Sequence, residues 1–169
     1  RIKNAKKLGN MWLIPDTAEK PIDKRTIRYE KQKKVELKPF VKWVGGKGQL
    51  LKQLEALLPA DFRDRKNVTY IEPFVGGGAM LFHLLQNYTN IKSAIINDIN
   101  PDLTTCYRII RDNPSALIST LRDIQSQYYA FETEEQRKEF FLFCREKFNA
   151  KQSDDIENSV LFLFLNRTC

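Results

Sequence analysis

The chain has 169 residues, of which 42% are apolar, 29% charged and 11% aromatic, a composition that supplies a core and excludes disorder over the whole length. Its formal charge of +7 is unevenly carried: residues 1–38 hold twelve Lys/Arg against five Asp/Glu, and residues 39–169 hold sixteen of each. A basic segment beside a neutral globular body points to a polyanion partner such as nucleic acid, or to a solvated arm.

The sequence opens on Arg1, not Met, and stops at Cys169 inside an apolar-to-polar transition, so it reads as a piece of something longer. Cys106, Cys144 and Cys169 lie 38 and 25 residues apart, which suits neither a zinc site nor a disulfide framework. Reduced thiols in a cytoplasmic protein are expected. With the single histidine His83, a Ser-His-Asp triad is conceivable but a His-rich metal site is not, and no metal is expected. The longest strongly apolar run, Val160 to Leu165, is too short to span a bilayer, and no signal-peptide pattern starts the chain.

In chain order, Gly9-Asn10 suits the turn of a short hairpin, with Met11-Trp12-Leu13-Ile14 beside it and an extended basic linker after it. Gln49 to Leu58 places Leu50, Leu51, Leu54, Leu57 and Leu58 on one helical stripe that Pro59 ends. Val68 to Ile71 reads as a strand running into Glu72-Pro73-Phe74-Val75-Gly76-Gly77-Gly78, and Ala79 to Leu85 as the helix that follows. Ile91 to Ile96 is a second strand, apolar enough at Ala94-Ile95-Ile96 to be buried on both faces of a parallel sheet. Asn100-Pro101 and Asn113-Pro114 each read as a capped helix start. The first of these helices carries Leu103, Tyr107 and Ile110 on one face, the second Leu117, Leu121, Ile124 and Tyr128. Thr133 to Gln136 has the form of a capping box, opening a helix with Phe140, Phe141, Cys144 and Phe148 on its inner side. Ser153 begins a last helix through Val160, Leu161 and Phe164. This order, βαβ and then four helices, contains only part of a sheet.

Six of the seven glycines fall in Gly45-Gly46-Lys47-Gly48 and Gly76-Gly77-Gly78. Ordinary turns would account for one such pair. A glycine triple between a buried strand and a helix, with a second cluster upstream, favours a ligand site, because a helix N-terminus after a parallel strand attracts anions. A dinucleotide fingerprint would need glycine where Leu81 stands, and a phosphate-binding P-loop would need glycine at Val41 and Ser or Thr at Gly48. What remains is an acidic, glycine-rich turn followed by Asp98 at the end of the next strand. Its carboxylate can accept both ribose hydroxyls, so a nucleoside cofactor without a pyrophosphate fits best.

Phe40-Val41-Lys42-Trp43-Val44-Gly45-Gly46-Lys47, Tyr70-Ile71-Glu72-Pro73-Phe74-Val75-Gly76-Gly77-Gly78 and Asn97-Asp98-Ile99-Asn100, in that order, resemble the N-terminal half of the Dam-type (D12 class) DNA adenine methyltransferases. The stretch from Phe148-Asn149 through Leu161-Phe162-Leu163-Phe164-Leu165-Asn166-Arg167 is similar to the helical segment before their target-recognition hairpin. The resemblance covers residues 39–169. It implies S-adenosyl-L-methionine as cofactor, with Trp43 lining the pocket, Lys47 by the methionine carboxylate, Glu72, Phe74, Gly76 and Gly78 forming the turn, and Asp98 holding the ribose. Taken singly, Trp43 also suits a core, Lys47 a surface charge at a helix start and Asp98 a strand-end cap.

The family's catalytic Asp-Pro-Pro-Tyr motif has no counterpart here: the chain contains no Pro-Pro pair, and Asn100-Pro101-Asp102-Leu103 reads as a helix start. No catalytic residue is therefore assigned, and the motif and the target-recognition hairpin are expected beyond Cys169. Residues 1–30, from Ala5-Lys6-Lys7-Leu8-Gly9-Asn10 through Asp23-Lys24-Arg25, resemble the wing of excisionase-like helix-turn-helix domains, implying a parent with a fused DNA-binding module.

The resulting expectation is an α/β, partial Rossmann-like S-adenosylmethionine-dependent methyltransferase fold. It comprises a basic hairpin and linker (1–38), cofactor-binding βα units (39–112) and a helical segment (113–169). The implied function is site-specific methylation of adenine N6 in double-stranded DNA, with the base flipped out of the duplex and a setting such as restriction-modification. Two other readings stand beside it: a non-catalytic DNA-binding protein with a decayed methyltransferase half, and a nucleotide-binding oxidoreductase domain.

Overall fold

A computed structural model describes strands at residues 6–8 and 11–13 and the whole of residues 36–168. The chain divides into two units, residues 1–36 and 37–169. In the first, β1 (Lys6–Leu8) and β2 (Met11–Leu13) pair antiparallel with Leu8 opposite Met11; the turn expected at Gly9-Asn10 lies outside the described residues. The basic linker expected after Ile14 lies outside the described residues.

The second unit begins with an irregular segment at residues 37–43 and a single 3-10 turn, Lys47–Leu50, that runs into α1 (Leu51–Ala56). Helix α1 is shorter than the leucine spacing predicts. Leu51, Leu54 and Leu58 pack inward, whereas Leu50 and Leu57 stay exposed, because the 3-10 turn shifts Leu50 off the α-helical stripe and the helix has ended before Leu57. Strand β3 (Val68–Glu72) is followed by α2 (Ala79–Asn87) and then β4 (Ile91–Ile96), which pairs parallel to β3. This is a βαβ unit, as the alternation of strand, glycine turn and helix predicts. Tyr70 and Ile91 pack with Met80 and Leu84 of α2.

Burial of β4 on both faces is not what the structure shows. Ile95 is 58% exposed and its cross-strand partner Ile71 is 61% exposed. Among the described residues the sheet has two strands and α2 covers one face, so the face carrying Thr69, Ser93, Ile71 and Ile95 has nothing packed on it.

Four helices complete the unit. Helix α3 (Pro101–Asp112) starts as predicted, with Asn100 Oδ1 accepting the Leu103 N–H at 3.0 Å and Pro101 at the first position. The start of α4 (Pro114–Ala130) differs. Asn113 makes no side-chain cap; its backbone N–H closes α3 onto the Ile109 carbonyl at 2.8 Å and its carbonyl accepts the Leu117 N–H at 3.1 Å, so the two helices share this one residue. Helix α5 (Glu134–Ala150) has the capping box, Thr133 Oγ1 accepting the Gln136 N–H and Gln136 Oε1 accepting the Thr133 N–H. Helix α6 (Asp155–Thr168) starts two residues later than Ser153, behind Asp154, whose carboxylate accepts the Glu157 N–H at 2.8 Å.

Ser159 to Phe164 are all buried, so this stretch of α6 is covered on every side, the pattern of a helix at the centre of a bundle. Helices α3, α4 and α5 pack around it. Val160, Phe162 and Leu163 meet Leu103, Cys106, Ile109 and Leu117, while Leu161 and Phe164 meet Cys144. Val41, Phe40 and Trp43 join the first of these clusters, which sets residues 39–43 against α3 and α6. Among the described residues no helix is long and apolar enough to cross a membrane.

Candidate functional site

The two glycine clusters meet at one cavity of about 590 Å³, within the range of about 300–1,000 Å³ common for small-molecule sites. Its walls come from residues 39–49, from the turn after β3 and from the end of β4. It therefore opens at the carboxyl ends of parallel strands, where α/β sheets place ligands.

The turn is held by its own backbone geometry. Val75 N–H donates to the Asn97 carbonyl at 2.9 Å and Asn97 N–H to the Glu72 carbonyl at 2.9 Å, carrying the β3–β4 ladder past the last strand residue. Gly76 and Gly78 have φ of +54° and +81°, a region that side-chain-bearing residues rarely adopt. Gly78 also faces the Tyr107 hydroxyl, which would lie 2.5 Å from a Cβ there, and that hydroxyl donates to the Gly76 carbonyl at 3.0 Å.

Five of the seven residues singled out in the sequence line the cavity: Trp43, Lys47, Phe74, Gly76 and Asp98. Glu72 and Gly78 do not. Glu72 is buried behind the wall and accepts from Lys47 Nζ at 3.2 Å, while its second oxygen has no hydrogen-bond donor among the described residues. Gly78 is the residue before α2, packed against Tyr107 and Phe82. The same ammonium of Lys47 donates to the Phe74 carbonyl at 2.6 Å, so two of its three protons tie the glycine loops together and one is left over.

Asp98 accepts the Gly76 N–H on Oδ2 at 2.9 Å and the Asn100 N–H on Oδ1 at 3.1 Å. It ties the strand end to the turn and keeps a free lone-pair direction on each oxygen. Trp43 is half-buried, packs on Phe162 of α6 with ring centroids 5.8 Å apart, and presents Cδ1 3.2 Å from where a Gly76 Cβ would stand. It is core on one side and cavity wall on the other.

Charge and burial near the turn act together. The phenols of Tyr70 and Tyr107 are raised above their ordinary values, first by burial and then by the negative charge of Glu72. Both stay protonated near neutrality, which keeps the Tyr107 hydroxyl a donor.

Sequence reasoning passed over Ile99, 91% exposed, and Val44, 99% exposed, both on the cavity wall. The available signal was an isolated apolar residue beside a glycine pair or directly after a strand-end acid. Tyr107 was assigned only to a helix face.

The family described as D12 class N6 adenine-specific DNA methyltransferase matches residues 43–169, from the cavity wall to the end of the chain. This chain belongs to that family. It is 44% identical over 137 residues to the type II methyltransferase M.MjaIII of Methanocaldococcus jannaschii, covering 80% of this chain and 47% of that protein. It is 33% identical over 134 residues to a DNA adenine methylase of Haemophilus influenzae, covering 79% and 41%. It is also 34% identical over 130 residues to a DNA N-6-adenine-methyltransferase of Escherichia phage P1, covering 76% and 15%. The chain thus spans about half, or less, of the length of these D12 relatives. Both glycine loops fall inside the segment that the D12 family matches, a segment that holds both strands and helices.

Proposed function

We propose that this chain is the cofactor-holding part of a site-specific DNA adenine N6-methyltransferase, and that its cavity binds S-adenosylmethionine. The observation that carries the reading is the convergence of a fixed carboxylate and a fixed ammonium, Asp98 and Lys47, on one glycine-lined cavity. Such a pair matches a zwitterionic nucleoside ligand: hydroxyls for the carboxylate, a carboxylate for the ammonium.

The residues fit that ligand. Asp98 has a lone pair free on each oxygen for the ribose hydroxyls. Lys47 has one proton free for the methionine carboxylate, and Glu72 holds the ammonium in place from behind. Gly76 leaves the space beside Trp43 that a Cβ would fill. Phe74, 71% exposed, and Ile99 offer apolar surface at the mouth for the adenine ring. Bound there, S-adenosylmethionine would supply a methyl group activated by its sulfonium. This chain's residues would bind and orient it.

The βαβ unit is read as the start of a Rossmann-like methyltransferase sheet. The adenine-handling Asp-Pro-Pro-Tyr motif would come from the remainder of the whole protein, and residues 1–38 would add salt-sensitive phosphate contacts to duplex DNA in the cytoplasm.

Calorimetric titration of the 169-residue chain with S-adenosylhomocysteine and, separately, with NAD tests the reading. Binding of the first and not the second supports it. Preference for NAD overturns it in favour of an oxidoreductase domain.

A further inference from the structure

The segment at residues 37–43 supplies Pro39, Val41 and Trp43 to the cavity wall, and it is not a strand of the sheet. Its backbone polar groups must find partners elsewhere. At two points they do so in the same way. The side-chain amide of Asn166, on α6, accepts the Lys42 N–H on Oδ1 at 2.8 Å and donates from Nδ2 to the Lys42 carbonyl at 2.9 Å. The side-chain amide of Gln86, on α2, accepts the Leu37 N–H on Oε1 at 3.0 Å and donates from Nε2 to the Leu37 carbonyl at 2.8 Å. Each amide gives and takes one hydrogen bond with a single residue, as a neighbouring β-strand would. Asn and Gln carry a separate donor and acceptor side by side on one neutral, planar amide, the spacing that a backbone N–H and C=O pair requires.

The geometry points to Asn166 and Gln86 as positioning residues for the cofactor cavity, paired amide clamps that stand in for a missing strand neighbour. They fix the segment at its two ends, on two different helices, with Val41 and Trp43 beside the Asn166 clamp. The Trp43–Phe162 contact adds a second tie between this wall and α6. Neither amide lines the cavity, so their effect on a ligand passes through Trp43 and Val41. The inference rests on the proposed cofactor reading only for the ligand used in one arm of its test.

Asn166→Asp and Gln86→Glu are nearly isosteric, keep the acceptor and replace the donor with an oxygen that repels the backbone carbonyl. The test uses the full 169-residue chain carrying Trp12→Phe, which leaves Trp43 as its single tryptophan. Tryptophan emission and far-UV circular dichroism are recorded without ligand, and S-adenosylhomocysteine affinity is measured well below each variant's Tm.

Asn166→Asp is expected to shift Trp43 emission to the red and weaken S-adenosylhomocysteine about three- to tenfold, since water can partly replace the exposed half of the clamp. Gln86→Glu should move both readouts less, because it acts at the far end of the segment. Asn166→Gln, which retains donor and acceptor, should recover part of the loss. Thr168→Ala, which removes the hydroxyl bond to the Phe164 carbonyl near the end of the same helix, should move neither. A folded Asn166→Asp chain with unchanged emission and affinity overturns the proposal, as does Thr168→Ala acting equally strongly. A parent chain that fails to bind S-adenosylhomocysteine overturns the cofactor reading instead, and the emission arm then decides the clamps alone.

Discussion

The ammonium of Lys47 lies 3.2 Å from Oε1 of Glu72, joining the first glycine loop to the second with one ion pair whose carboxylate is buried. Removing the ammonium leaves a desolvated carboxylate without its cation, the costly way to break such a pair. Lys47→Met keeps the stem and should cost about 1–3 kcal/mol in urea unfolding, moderated because Lys47 itself is partly solvated. Glu72→Gln alone should cost less. Lys47→Met combined with Glu72→Gln should fall short of the sum of the two, and strict additivity in this cycle would show that the pair is not coupled.

Glycine tolerance should differ sharply along the two loops. Gly78 combines φ of +81° with a Tyr107 hydroxyl 2.5 Å from where an added Cβ would stand, so Gly78→Ala is expected to lose about 1–3 kcal/mol or more. A Cβ on Gly48 meets nothing within 4 Å and its φ is not positive, and Gly48→Ala should stay within about 0.5 kcal/mol of the parent. Chemical denaturation of the two variants side by side decides this; equal losses would mean that strain at Gly78 is not the cause.

Asp98→Ala is expected to abolish S-adenosylhomocysteine binding, since two hydrogen bonds to a charged acceptor are worth about 1.5–3 kcal/mol each. Lys7→Ala, in the basic unit, should leave that binding unchanged. Equal loss in both variants would contradict the division between cofactor pocket and basic segment.

Much of this was legible in the residues themselves. The glycine clusters, Asp98 at a strand end and Asn100-Pro101 at a helix start are short-range features whose chemistry is local, and the structure has the βαβ turn and the Asn100 cap where they predict. The failures have a common cause in long-range context. Ile95 reads as doubly buried because parallel strands usually are, but burial depends on what covers the sheet, which no local pattern encodes. Asn113 repeats the Asn-Pro signal of Asn100, yet sits between two abutting helices, its backbone N–H closing the first and its carbonyl opening the second. Gln86 and Asn166 gave no signal, because an amide 49 or 124 residues from its partner looks like any polar residue on a helix.

The buried thiols give a chemical test of the helical core. Burial pushes the Cys106 thiol up to about 12, only partly offset by its Ser159 neighbour, and the Cys144 thiol up to about 11. Neither forms thiolate near neutrality, and both are inaccessible. In a Cys169→Ser background, iodoacetamide at pH 8 should label neither cysteine in the native chain and both in urea, read by mass spectrometry. Labelling of Cys106 under native conditions would mean that α3 and α6 separate readily.

Helix α1 is pinned to α2 by Glu55, which accepts from the Tyr88 hydroxyl at 2.6 Å and bonds His83 Nε2 at 2.8 Å. These hydrogen bonds, Tyr88 first and His83 next, lower the Glu55 carboxyl below its ordinary value of 4.5. A lowered value means the folded chain favours the ionised form. The stabilisation is fully present above about pH 4.5 and is lost as pH falls through the lowered value. Glu55→Gln should therefore flatten the decline of the urea midpoint between pH 5 and 3, by an amount about that of one partly solvated group. An unaltered slope would remove Glu55 from the acid response.

The span of 124 residues between Lys42 and Asn166 also sets an order of events. During synthesis the chain emerges from its N-terminus, so the wall bearing Trp43 is made early and its last fastening late. The βαβ unit, whose pairing is far more local, can form while that wall is still loose. The pocket is thus finished only once α6 has left the ribosome, and a nascent chain halted before α6 would own both glycine loops without a shaped place to hold a ligand.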